Sequence, residues 1–125
     1  YGLPGSDAEI AAHRLIHLEE PFRPAADWAD WFARCGLPPP AKTKGLLMND
    51  YVLVMQAVYA GQGIGLGWLH LVEHLIASGY LVPVSQRTLV TGGGFHVVWP
   101  ADRPLSDNIR RVRDWILSAP APATT

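Results

Sequence analysis

The chain has 125 residues, enough for one domain, and a domain of that size buries roughly two-thirds of its unfolded surface. Apolar residues make up 49% and charged residues 17%, which excludes a disordered chain. Ten basic against eleven acidic side chains give a net charge of -1, a poor footprint for nucleic-acid phosphates, and no apolar run approaches the ~20 residues of a membrane span.

Asp7 to Ala12 has the pattern of a short helix with Ser6 as its N-cap. Arg14 to Leu18 reads as a strand stopped by Glu19, Glu20 and Pro21. Ala26 to Cys35 is helical, because Trp28, Trp31, Phe32 and Cys35 recur at i, i+3, i+4 and i+7. Gly36 and the prolines 38–40 end it. Gly45 to Met48 is a short buried strand. Asn49 or Asp50 then caps a helix from Tyr51 to Ala60 that is apolar nearly all round. Such a helix is buried on more than one side, by its own sheet and by a partner. Gly61 closes it, Ile64 to Trp68 is the next strand, and His70 to Ser78 is a helix with Gly79 past its end. Tyr80 to Val84 is an edge or connecting strand, because Pro83 lacks a ladder donor. Phe95 to Trp99 is the clearest late strand. Asp107 to Leu117 is a final helix with Ser106 as N-cap and a buried stripe of Leu105, Ile109, Val112 and Ile116, and Asp114 can pair with Arg110. The Pro- and Ala-rich residues 119–125 form a solvated tail.

Strands alternating with helices of this length predict a mostly parallel sheet with helices on both faces. In such sheets ligands sit beyond the carboxyl ends of the strands. That places a site at residues 19–22, 49–51 and 67–69.

Several motifs compete with this reading. His70, Glu73 and His74 match the H-x-x-E-H pattern of a zinc hydrolase, with both imidazoles on one helical face. A third ligand is missing, since no Glu follows Glu73, so a solvated helix face is the simpler account. The run Gly61-Gln62-Gly63-Ile64-Gly65-Leu66-Gly67 imitates a dinucleotide fingerprint, yet it ends a helix and opens a strand, the reverse of what that chemistry needs. Thr91-Gly92-Gly93-Gly94 reads as a turn. No Ser lies in a nucleophile elbow, and Cys35 is alone, so neither a disulfide nor a cysteine zinc site can form. Neither a cofactor nor a metal is expected. His13, His17 and His96 read as structural. Trp31 and Trp115 suit core positions, whereas Trp28, Trp68 and Tyr51 fall near helix starts and strand ends. Packing is the ordinary use of aromatic side chains. Where they face a cleft, aromatic walls beside Asp50 suit a cation or quaternary ammonium, while helix N–H groups favour an anion. A zwitterion would use both.

The succession His13-Arg14-Leu15-Ile16-His17-Leu18, Asp27-Trp28-Ala29-Asp30-Trp31, Asn49-Asp50-Tyr51-Val52-Leu53-Val54-Met55-Gln56-Ala57 and Ala60-Gly61-Gln62-Gly63-Ile64-Gly65-Leu66-Gly67-Trp68 resembles the effector-binding region of LysR-type transcriptional regulators. The subgroup that includes the glycine-cleavage regulator is the nearest match. Val97-Val98-Trp99-Pro100, Leu105-Ser106 and Arg113-Asp114-Trp115-Ile116 resemble that family's ending, so the likeness runs from about His13 to Leu117.

The resemblance implies an α/β, type 2 periplasmic-binding-like fold whose two lobes hold a small effector and whose closure repositions DNA-binding domains. It makes residues 1–93 the second lobe and 94–118 the crossover strand and terminal helix returning to the first. The family's helix-turn-helix and most of its first lobe have no counterpart here, so DNA is reached only through a domain outside this sequence. The opening on Tyr1 without Met fits a piece of something longer. The expected site residues are Phe22, Asn49, Asp50, Tyr51, Gly67 and Trp68, and the expected effector is an amino acid, another zwitterion or a quaternary ammonium. The helix from Tyr51 to Ala60 is the expected contact of a homodimer or higher oligomer. A cytoplasmic ligand sensor without enzymatic chemistry is the reading. A transporter's solute-binding receptor, which shares the fold, is its rival.

Overall fold

The structure, a computed structural model, describes residues 2–20, 26–38, 40, 45–92 and 96–118. The elements in chain order are α1 (Asp7–Ile10), β1 (Leu15–Leu18), α2 (Trp28–Arg34), β2 (Gly45–Met48), α3 (Tyr51–Tyr59), β3 (Ile64–Gly65), α4 (Leu69–Ala77) and α5 (Asp107–Ser118). The chain divides into two compact units, Tyr1–Thr91 and Gly92–Thr125.

In the first unit the strands form a parallel sheet in the order β2-β1-β3. Successive side chains of a strand point to opposite faces, so central β1 must be apolar on both. Leu15 packs with Ile10, Trp28, Trp31 and Phe32 on one face, and Ile16 packs with Val54 and Ala57 on the other. Helices therefore cover both faces, α1 and α2 on one and α3 on the other. Trp28, weighed above as a cleft residue, is a core residue instead. It is buried, its indole Nε1–H donates to the carbonyl of Ile16 at 2.9 Å, and its ring meets those of Trp31 and Phe32.

Helix α2 starts at Trp28 rather than Ala26 because Asp27 is a well-formed cap. Its carboxylate accepts from the Asp30 N–H, and the Asp30 carboxylate accepts from the Asp27 N–H, both at 3.0 Å. The Ser6 side chain makes no such bond at the head of α1.

Strand β2 is not buried as expected. It lies at the sheet edge, and its residues alternate between exposed and half-buried, with Leu46 and Met48 turned toward α3 and Leu47 63% exposed. Helix α3 likewise buries one side only. Val54 and Ala57 face the sheet, while Val52 and Leu53 remain 61% and 47% exposed.

Strand β3 ends at Gly65, short of Trp68, because Trp68 takes the N-cap position of α4 and its carbonyl accepts from the Leu71 and Val72 N–H groups. No strand forms over Tyr80–Val84. The N–H groups of Tyr80 and Leu81 both donate to the Leu75 carbonyl, wrapping the chain around the end of α4 with Gly79 at φ 75. That is a helix C-terminal closure, which satisfies donors a strand would need.

In the second unit α5 forms as predicted, with Ser106 Oγ accepting from the Ile109 N–H at 3.4 Å. Ile109, Val112 and Ile116 of its apolar stripe, expected to be buried, are exposed, as is Trp115, expected in a core, while Leu105 is half-buried. His96–Trp99 makes no ladder, and Phe95 lies outside the described residues. The reason is common to both: among its described residues this unit holds no strand or second helix to pair with. Arg110 pairs with Asp107 rather than Asp114, which is taken by Arg113 at 2.7 Å. The Arg113 guanidinium also lies over the Trp99 ring at 5.3 Å.

Candidate functional site

Parallel pairing brings the three carboxyl strand ends to one edge of the sheet. The register sets Leu18 beside Met48 and Ile16 beside Gly65, and the Glu19 N–H donates to the Met48 carbonyl at 2.7 Å. Beyond β2 come Asn49, exposed, and Asp50, the N-cap of α3. Asp50 Oδ1 accepts from the Val52 N–H at 2.7 Å and the Leu53 N–H at 3.4 Å. Left open, those donors would favour an anion. They are occupied, because an aspartate cap satisfies the orphan donors of its own helix.

Tyr51 and Trp68, seventeen positions apart, are brought together. Their rings stack with centroids 4.3 Å apart at an interplanar angle of 12°, and the Tyr51 phenol oxygen accepts from the Trp68 backbone N–H at 3.0 Å. Tyr51 is half-buried. Burial pushes its phenol pKa above the ordinary 10.0, outweighing the Trp68 N–H, which lowers it, so the hydroxyl stays protonated at neutral pH.

The His70 ring lies almost parallel to Trp68, at 7° and 6.5 Å, extending the row of rings. Its place in the row was missed because the sequence there pointed only to a metal ligand or a solvated helix face. The available signal was its position two residues past an aromatic strand end. Gly67 belongs to the same edge, and a Cβ there would press on the Val72 methyl groups at 3.2 Å. Of the six expected residues, Asn49, Asp50, Tyr51, Gly67 and Trp68 lie along this edge, and Phe22 lies outside the described residues.

His70, Glu73 and His74 are exposed on α4, and among the described residues no group of three His, Cys, Asp or Glu side chains is placed to hold a metal. The glycine run does backbone work. Gly61, at φ 66, terminates α3, and a Cβ on Gly63 would sit 2.4 Å from the Arg14 carbonyl oxygen. Two depressions lie elsewhere, one of 390 Å³ among Pro4–Asp7 and Pro83–Arg87 and one of 190 Å³ beside Trp31, Cys35 and Arg87. The strand-end residues line neither and form an open ledge rather than a closed cavity.

The family model of the LysR substrate binding domain matches residues 3–121. The chain belongs to the LysR substrate-binding domain family. It is 29% identical over 113 residues to the HTH-type transcriptional activator AmpR of Rhodobacter capsulatus, covering 84% of this chain and 38% of that protein. It is 26% identical to the glycine cleavage system transcriptional activator of Escherichia coli K12, covering 90% of this chain and 36% of that protein. This LysR domain chain thus spans less than two-fifths of either relative.

The solved AmpR effector binding domain from Citrobacter freundii superposes with a TM-score of 0.65 at 20% identity, over 90% of this chain and 55% of that one. That likeness establishes the fold, the α/β, type 2 periplasmic-binding-like arrangement that the resemblance implied. No described helix is long and apolar enough to cross a membrane.

Proposed function

We propose that this LysR-family chain is the ligand-sensing part of a transcriptional regulator. The observation that carries this reading is the ledge of Asp50, Tyr51 and Trp68 at the carboxyl ends of three parallel strands, within a chain matched by the substrate-binding family. Residues 1–93 are the second lobe. Residues 94–118 are the crossover and the terminal helix of the first lobe, where the stripe of α5 finds its cover; 119–125, expected as a tail, lie outside the described residues. A small effector, an amino acid, another zwitterion or a quaternary ammonium, closes the lobes by preferring one arrangement, and DNA is bound by a helix-turn-helix elsewhere in the regulator. The protein acts in the cytoplasm and makes or breaks no covalent bond. A transporter receptor is not favoured, since both relatives are named transcriptional activators.

A thermal-shift screen of amino acids, other zwitterions and quaternary ammonium salts on the whole regulator tests the reading. A compound at 100 times its dissociation constant adds about 2.7 kcal/mol of stability. Asp50→Ala and Trp68→Ala are expected to abolish the rise in melting temperature. A rise unchanged in both variants means the effector sits elsewhere.

The exposed apolar side of α3, with Val52, Leu53 and Tyr59, is our interface for a second copy. Leu53→Glu would place an uncompensated charge there. Sedimentation is expected to show weakened self-association of the regulator at unchanged helix content. An unaltered dimer rules out this face.

A further inference from the structure

A strand end that runs into a helix usually offers unfilled backbone N–H groups, which favour an anion. At the head of α3 and at Trp68 the protein's own oxygens sit on such donors. Asp50 Oδ1 takes the Val52 and Leu53 N–H groups, and the Tyr51 phenol oxygen takes the Trp68 N–H. A ligand carboxylate reaching Trp68 N–H would have to displace a phenol fixed by its stack on the Trp68 ring.

What the ledge does present is aromatic surface next to one negative charge, together with the Tyr51 hydroxyl, whose oxygen is already in use as an acceptor. Aromatic faces and a carboxylate attract a cation and repel an anion. We infer that Tyr51 is a specificity-determining residue of the effector site: by occupying the Trp68 amide it excludes a carboxylate, and the part of the effector resting on Tyr51, Trp68 and Asp50 is an ammonium group. This rests on the effector-sensing reading and orients a zwitterion within it, ammonium toward α3 and acid group away. Tyr51 would be poorly replaced by a smaller hydroxyl residue, which could reach neither the Trp68 N–H nor its ring.

The test uses the ¹⁵N-labelled chain, with methylammonium chloride and sodium acetate as probes at matched concentration and sodium chloride as the ionic-strength control. In the wild-type chain methylammonium is expected to move the amide signals of Asp50, Tyr51 and Trp68 beyond the salt control, and acetate to leave them in place. In Tyr51→Phe, which keeps the ring, the Trp68 amide is expected to exchange with solvent about tenfold faster, the scale of one lost hydrogen bond, and to respond to acetate. Asp50→Asn, which preserves the cap, is expected to lose most of the methylammonium response.

Acetate moving the wild-type Trp68 amide, or methylammonium leaving the three signals in place, overturns the proposal. These two titrations decide it even if a variant fails to fold. Trp68 exchange unaltered in a folded Tyr51→Phe chain overturns it as well. Because the probes are read on the ledge itself, the result is separate from whether any compound in the thermal screen stabilises the regulator.

Discussion

Trp28→Ala is expected to destabilise the chain by about 3–5 kcal/mol, the range for emptying a large aromatic site. The indole is 4% exposed and packs edge-on against Trp31 at 5.8 Å and tilted against Phe32 at 5.9 Å. Truncation removes those contacts and also the donor to the Ile16 carbonyl at 2.9 Å, which lies on the central strand. Domains have about 5–15 kcal/mol to lose, so the variant approaches or crosses the point of unfolding at ambient temperature. Trp28→Phe separates the two contributions: it keeps most of the packing and loses the hydrogen bond, for about 1–2 kcal/mol. Urea unfolding followed by far-ultraviolet circular dichroism measures both. A loss below about 1 kcal/mol for Trp28→Ala would mean that α2 does not hold β1 in solution as it does in the structure.

Gly45→Ala is expected to cost about 3 kcal/mol or more, although it adds only a methyl group at an exposed edge. A Cβ at that position would lie 2.1 Å from the Leu15 carbonyl oxygen and 2.9 Å from the His17 ring. The oxygen belongs to the backbone of β1 and cannot rotate aside. The four-residue strand β2 must therefore shift out of its register with Leu15, Ile16, His17 and Leu18. Gly61→Ala is the control. Gly61 has φ 66 but nothing within 4 Å of its Cβ position, so it carries backbone strain without a clash, at about 1 kcal/mol. Equal losses at the two positions would show that the close approach at Gly45 is not what constrains β2. A shift of β2 would also move Asn49 and Asp50 off the ledge.

Periodicity was a good guide wherever a segment's partners lie within its own unit. The i, i+3, i+4 run of Trp28, Trp31 and Phe32 and the apolar pair Leu15 and Ile16 read directly as a helix face and a two-sided strand. It misled at edges, because an apolar residue in a short strand reads the same at the centre of a sheet and at its rim, as Leu47 shows. It misled again in α5, whose stripe is periodic although the described residues of its own unit offer no strand or second helix to cover it. Hydrophobic pattern records that a face wants burial but not which segment supplies it.

The site was legible only in part. Topology rules pointed to Asn49, Asp50, Tyr51, Gly67 and Trp68 at the strand ends. The cap at Asp50 is local and was legible, but topology rules could not show that Tyr51 turns back onto the Trp68 backbone, since a bond and a stack across seventeen positions depend on the paired strands. The same limit hid His70 behind an apparent metal motif.

The most direct test of the effector-site assignment is an amide-shift map of the labelled regulator with and without a compound that raises its melting temperature. Perturbations concentrated at residues 49–51 and 67–70 are the predicted result. Perturbations centred instead on the depression between Pro4–Asp7 and Pro83–Arg87, with the strand ends silent, would contradict it.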